Sequence, residues 1–195
     1  LKGIVYFEVF LDGPKQDLHS GTFGGSVYNP LNALTQMLGA FVDDQGRIQI
    51  PGFYDDVVEL EQRERDQFAA LPFNEQQFKD KVGVDTVHGE VGYTTLERRW
   101  ARPTLDINGI WGGYQGEGAK TVLPGKSGAK FSCRLVPNQE PEKIGAAIEK
   151  MLQDLVPNGI RMEVKHHHGA PGVVVDLDSP YMAAAAAAIE QGFGV

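Results

Sequence analysis

One cysteine, Cys133, stands in 195 residues. A single thiol cannot close an internal disulfide, so the fold must rest on its core, and the chain suits a reducing, cytoplasmic setting. Base is scarce as well. Lys and Arg number 18 against 26 Asp and Glu, for a net charge of −8. A surface that grips phosphates needs clustered base, so nucleic acid is not an expected partner. Long apolar runs are missing too. The longest, Met182 to Ile189, falls far short of the ~20 residues a helix needs to cross a bilayer, and no membrane partner is expected. No signal-like segment is present, and the chain opens at Leu1 almost inside a strand pattern. It reads as a piece of a longer protein.

What remains is an ordinary globular balance, 42% apolar and 23% charged, in a chain long enough to bury a sizeable core. Residues 4–11 alternate with Val5, Phe7, Val9 and Leu11 on one face, which predicts a core strand. Asn29-Pro30 caps a helix over 30–41 with Leu31, Leu34, Leu38 and Phe41 at helical spacing. Residues 104–111 alternate Leu105, Ile107, Gly109 and Trp111. Residues 129–135 alternate Ala129, Phe131, Cys133 and Leu135 against Lys130, Ser132 and Arg134. Glu140-Pro141 opens a helix striped with Ile144, Ile148, Met151, Leu152 and Leu155, and Pro157-Asn158-Gly159 stops it. Residues 160–167 alternate again, on Ile160, Met162 and Val164. The order strand, helix, strand, strand, helix, strand predicts an α+β fold. It is a two-layer ferredoxin-like sandwich, a four-stranded antiparallel sheet with two helices on one face. The open face should carry Lys130, Ser132 and Arg134, and the edge strands should be the second and the last.

Two regions fall outside that unit. Residues 42–103 form an insertion with a strand-like or irregular segment at 48–53, a charged helix near 55–70 and a short helix near 74–81 capped by Asn74. Ser179-Pro180 caps a C-terminal helix that runs through six alanines to Gly192, close-packing in composition and therefore expected to meet a neighbour. The predicted domain is 1–172, with 173–195 a separate C-terminal segment.

The most unusual local string is Asp17-Leu18-His19-Ser20-Gly21. A histidine in a tight glycine loop could move protons or orient an oxyanion; an exposed loop histidine held by an Asx turn is the other reading. Arg134 on a strand's polar face would make a fixed fork for a carboxylate, or would be an ordinary surface arginine. His166-His167-His168 has neither an HExxH pattern nor a cysteine pair to complete a zinc site and reads as a polar strand end. The glycines of 112–118 follow a strand but precede no helix, so they are not a phosphate loop. Cys133, on the apolar strand face, should be buried and inert.

Several strings together resemble one family. Gly3 to Gly21, ending in Asp-Leu-His-Ser-Gly, is similar to the opening of the lid domain of the di-zinc exopeptidases of family M20: carnosinase, nonspecific dipeptidases, acetylornithine deacetylase and relatives. Val27-Tyr28-Asn29-Pro30 and Ile50-Pro51-Gly52-Phe53-Tyr54-Asp55 resemble the dipeptidase-like members. So do Gly118-Ala119-Lys120-Thr121-Val122-Leu123-Pro124 and Phe131-Ser132-Cys133-Arg134-Leu135-Val136-Pro137-Asn138.

The resemblance implies a lid and dimerisation domain of a zinc-dependent peptidase or amidohydrolase that cleaves dipeptides or acyl amino acids. The two zinc ions and the general base would belong to a catalytic domain not included in this chain, to which residues 173–195 would return. No zinc ligand is expected from the chain itself, and alone it should be inactive. His19 would match the histidine that reaches into the partner subunit's active site and stabilises the oxyanion. Arg134 would bind the substrate's terminal carboxylate, Thr121 would help hold the substrate, and His168 is a weaker substrate-side match. Expected partners are a second copy in a homodimer, the catalytic domain, and a peptide or acyl amino acid substrate. The rival is a stand-alone ferredoxin-like module that binds a small ligand or dimerises without catalysis.

Overall fold

The computed structural model describes residues 1–194. Four strands build one antiparallel sheet: β1 (Gly3–Asp12), β3 (Thr104–Gly112), β5 (Lys126–Leu135) and β6 (Arg161–His166), in the order β3-β5-β1-β6. Strand β1 pairs with β5 from Gly3↔Leu135 to Asp12↔Lys126 and with β6 from Phe7↔His166 to Asp12↔Arg161. The edges are β3 and β6, the second and last of the long strands, as the pattern requires. A two-stranded ribbon of β2 (Leu18–His19) and β4 (Val122–Leu123) stands apart from it.

After the single turn α1 (Ser20–Phe23), helices α2 (Pro30–Gly39) and α6 (Pro141–Leu155) cover one face of the sheet. Pro30 sits at the first turn of α2 and Asn29 Oδ1 accepts from Leu31 N at 2.9 Å, so the start lies where capping chemistry puts it. Val5, Phe7, Val9 and Leu11 of β1 face Ala129, Phe131, Cys133 and Leu135 of β5, all fully buried. Leu34 and Met37 of α2 and Ile144, Ile148 and Leu152 of α6 close over them, and Phe131 stacks between Phe7 and Phe41. Each such side chain gains ~1.5–3 kcal/mol by leaving water, which makes this sandwich the stable centre of the chain.

Strand β3 departs from simple alternation. A bulge between Ile107 and Gly109 resets the register, so that Ile110 opposes Ala129 and Trp111 opposes Gly128. Ile107 and Ile110 therefore share the helix side of the sheet, and Trp111 turns to the open face. There it lies so close over Gly128 that a Cβ on that glycine would meet the indole at 2.2 Å. The helices do not reach β3, and Ile107 and Ile110 each remain 48% exposed.

The insertion is better folded than its polarity implies. Ile48, Ile50 and Phe53 join the main core, and buried Gln139 donates to Phe53 O and accepts from Val136 N. The charged helix α3 starts only at Gln62 (Gln62–Ala70), after irregular chain. Helix α4 (Glu75–Val82) is capped by Asn74 as expected. Helix α5 (Thr95–Trp100) is an addition, started by a reciprocal capping box between Thr94 and Glu97. Between them Arg102, with its side chain 1% exposed, forks onto Glu90 through two 2.8 Å bonds and reaches Glu59 at 3.2 Å.

The chain's two ends of this unit run side by side: the Leu1 amino group donates to Val173 O at 2.7 Å and Val173 N donates back to Leu1 O at 2.8 Å. Helix α7 (Pro180–Phe193) follows, capped by Ser179, with none of its residues buried. No described helix is long and apolar enough to cross a membrane.

Candidate functional site

The glycine-rich loop after β1 is held by specific backbone partners. Gly13 N donates to Gly125 O, and the Asp17 carboxylate accepts from Gly125 N, both at 2.9 Å. Leu18 and Leu123 pair on the inner side of the β2–β4 ribbon. His19 then projects outward, and Ser20 N donates to Thr121 O at 3.0 Å. This pairing sets His19 Nε2 3.5 Å from Thr121 Oγ1. The two residues, 102 positions apart in sequence, form one exposed pair. Gly21 is what lets the ring sit there, since a Cβ at that position would lie 2.8 Å from the imidazole. An open cleft of about 640 Å³, lined by Ser20, Tyr28, Asn29, Asn32 and Gln36 among others, flanks the loop.

Arg134 lies at the other end of the sheet. It opposes Ile4 on one side and Thr104 on the other, all on the open face. It stands eight positions along β5 from Lys126, which marks the end from which the His19 loop hangs. At ~3.4 Å per residue that is about 27 Å. Within one copy of the chain the structure brings together His19 and Thr121, but neither with Arg134. Arg134 lines a second open cleft, of about 620 Å³, with Leu1, Lys2, Arg99, Trp100 and Thr104. Lys2 donates to Arg98 O at 2.9 Å. Burial lowers its pKa to about 8, against the opposing pull of Asp106 and with a further push from the Arg134 charge.

The histidine string splits. His166 ends β6 on the core side, stacked on Phe7 at 4.6 Å and against Gly145, whose missing Cβ makes room for the ring. His167 turns to the open face beside Tyr6 and 3.5 Å from Glu8. His168 is exposed just beyond the strand, near the Ile4↔Ala170 bridge and so at the Arg134 end. The string is a strand end: β6 stops at His166, and the bridge to Ile4 is made by Ala170. Mid-sheet, Lys130 binds Glu8 at 3.1 Å and holds its carboxyl below the usual range. Among the described residues no three His, Cys, Asp or Glu side chains gather as a metal-binding group. Cys133 is fully buried, and burial pushes its thiol far up.

Pattern reading missed the β2–β4 ribbon and the α5 wall of the Arg134 cleft. The signal for α5 was present as Thr94-x-x-Glu97; two-residue strands carry no periodicity to detect.

Residues 1–160 match the family described as the peptidase dimerisation domain of M20 peptidases. The chain is 39% identical over 150 residues to a Cys-Gly metallodipeptidase of Schizosaccharomyces pombe, covering 77% of this chain and 32% of that protein. It is 33% identical over 196 residues to the human Beta-Ala-His dipeptidase, covering 99% of this chain and 39% of that one. Among solved structures it superposes on an M20 family metallo-carboxypeptidase from Sulfolobus solfataricus with a TM-score of 0.89 at 32% identity, covering all of this chain and 50% of that one. Human carnosine dipeptidase 1 gives 0.84 at 32% identity, with 42% of its chain covered. The chain thus spans 32% and 39% of the length of these two curated relatives. By the family match over residues 1–160 and the identity to these relatives, the chain belongs to the M20 peptidase dimerisation domain family.

Proposed function

We propose that this chain is the lid and dimerisation domain of a zinc-dependent dipeptidase or acyl-amino-acid amidohydrolase that works as a cytoplasmic homodimer. The observation that carries the reading is that the His19–Thr121 pair and Arg134 stand at opposite ends of the sheet, with about 27 Å of β5 between Lys126, at the loop end, and Arg134. No dipeptide-sized substrate spans it within one copy. A second copy resolves it. Strand β3 is an edge with two half-exposed isoleucines, Ile107 and Ile110, whereas β6 shows mostly charge. An apolar edge calls for a cover. Two-fold antiparallel pairing of β3 with its copy would lay the Gly112 end of one protomer beside the Thr104 end of the other. The partner's His19 loop would then approach this copy's Arg134.

In this reading the Arg134 guanidinium binds the terminal carboxylate in a bidentate grip and fixes the scissile amide. His19, steadied by Thr121, donates to the oxygen on which negative charge develops, and removal of such a donor typically costs ~10²–10³ in turnover. Thr121 also holds the substrate, and His168 borders it from the Arg134 side. In this reading a companion domain holds the metal, and zinc there would supply the activated water. The relatives named as metallodipeptidases support the peptide substrate and the metal.

Mixed dimers test the reading in the full-length enzyme. A subunit with an inactivated metal site but intact His19, paired with a His19→Ala subunit, should recover activity that neither variant has alone. Mixed dimers no more active than the variants would refute the shared site.

A further inference from the structure

Three cations meet in the Arg134 cleft, in a chain whose net charge is −8. Lys2 stands two residues before Ile4, the residue opposite Arg134, and so lies diagonal to Arg134 on the same face. Arg99 closes the cleft from α5, beside Trp100, and the cleft lining includes no carboxylate. Among the described residues Lys2, Arg99 and Arg134 have no ion-pair partner, while Lys126, Lys130, Lys143, Lys150 and Arg102 all do. The acids nearby lie outside this lining. Asp106 on β3 accepts from Thr104 at 3.3 Å, and its charge offsets only part of the burial that lowers the Lys2 pKa. Glu59 and Glu64, which share the adjoining cleft with Lys2, serve Arg102 with Tyr93 and the Glu61 amide respectively. A single terminal carboxylate would satisfy Arg134 alone and leave Lys2, and Arg99 with its guanidinium 5.1 Å over the Phe78 ring, without a counter-charge.

We infer that the Arg134 cleft is a dianion site, built for a substrate whose C-terminal residue is itself acidic, with Arg134 on the terminal carboxylate and Lys2 and Arg99 on the side-chain carboxylate. The inference rests on the reading of Arg134 as a carboxylate fork. Lys2, held at about pKa 8 by burial and its neighbours, is a cation that a second carboxylate would stabilise.

The test is a titration of this chain, followed by amide and lysine NMR shifts, with N-acetylglutamate, its single-charge isostere N-acetylglutamine, and inorganic phosphate. N-acetylglutamate should bind roughly tenfold tighter than N-acetylglutamine, the worth of one charged hydrogen bond. Lys2→Met should erase that preference, Lys2→Arg should keep it, and the surface variant Arg99→Met should reduce it. Arg134→Gln should weaken both ligands. Equal binding of the two ligands, with Arg134 still required, would overturn the dianion site and spare the fork. Binding independent of Arg134 would overturn the fork itself. Phosphate binding as tight as N-acetylglutamate and equally dependent on Lys2 would overturn the acidic-residue assignment.

Discussion

Replacing Arg102 by methionine should destabilise the chain by about 3 kcal/mol. The side chain is 1% exposed and donates two of its bonds to Glu90, whose own side chain is 9% exposed. Loss of one partner of a buried pair costs ~3–5 kcal/mol, mostly because the other charge stays buried without compensation. The lower end applies because Arg47, half exposed, still reaches Glu90 at 3.1 Å. Glu59, 67% exposed, returns to water at little cost. For a chain of this size that corresponds to a fall in Tm of about 6–12 °C. Urea and thermal unfolding followed by circular dichroism would measure it. Adding Glu90→Gln to Arg102→Met removes the orphaned charge, so the double variant should recover at least half of the loss. A single variant within about 1 kcal/mol of wild type would mean that water reaches Glu90 and the network is not sealed. A double variant no better than the single would trace the loss to packing, including the Arg102 stack on Tyr93 at 4.2 Å, and would refute the electrostatic account.

Two further outcomes are expected. Gly21→Ala should rotate the His19 ring off Thr121, visible as changed histidine NMR shifts, and should lower kcat of the full-length enzyme while leaving the melting temperature within ~2 °C. Lys2 binds fewer protons folded than unfolded between pH 8 and its ordinary 10.5, so its contribution makes stability rise with pH across that window and stay flat below pH 8. Urea midpoints of wild type and Lys2→Met between pH 7 and 10.5 would show the difference, and parallel curves would refute the burial of Lys2.

The sheet was legible because it is made of what a sequence shows plainly. Val5 to Leu11 and Ala129 to Leu135 each bury one face and expose the other, and the two helices each carry one apolar stripe after a capped proline. Strand β3 was legible only in part, because one extra residue at Asn108 breaks the two-residue period that the reading depends on. Helix α5 is buried through one apolar residue, Leu96, with Thr95 hydrogen-bonded to Glu75 and Glu97 paired with Arg65, rather than through an apolar stripe. Glu97, 2% exposed, looks in sequence like a solvated residue, because its partner Arg65 lies 32 positions away. The candidate site divides in the same way. His19 and Arg134 stood out in their own local strings and took their roles from the resemblance, whereas Thr121 came from the resemblance alone. The reason His19 meets Thr121, and the reason neither meets Arg134, lies in long-range strand register that no local pattern encodes. The Lys2 and Arg99 contribution to the Arg134 cleft is likewise a product of folding, since three cations spread over more than a hundred positions give no local charge run.

The bulge that turns Trp111 onto the open face has an optical consequence. The chain's two tryptophans are posted at opposite ends of the sheet. Trp111 is fixed over Gly128 and edge-on to Phe10 at 5.7 Å, at the end that bears the His19 loop. Trp100, 52% exposed, stands in the Arg134 cleft. Their emission therefore separates by environment, a shielded indole on the sheet and a hydrated one in the cleft. A ligand entering beside Arg134 dries Trp100 and leaves Trp111 unchanged, and loss of sheet order at the far end does the reverse. With Trp100→Phe and Trp111→Phe each removing one signal, the native fluorescence of the protein becomes a label-free readout of which end of the sheet an event has reached.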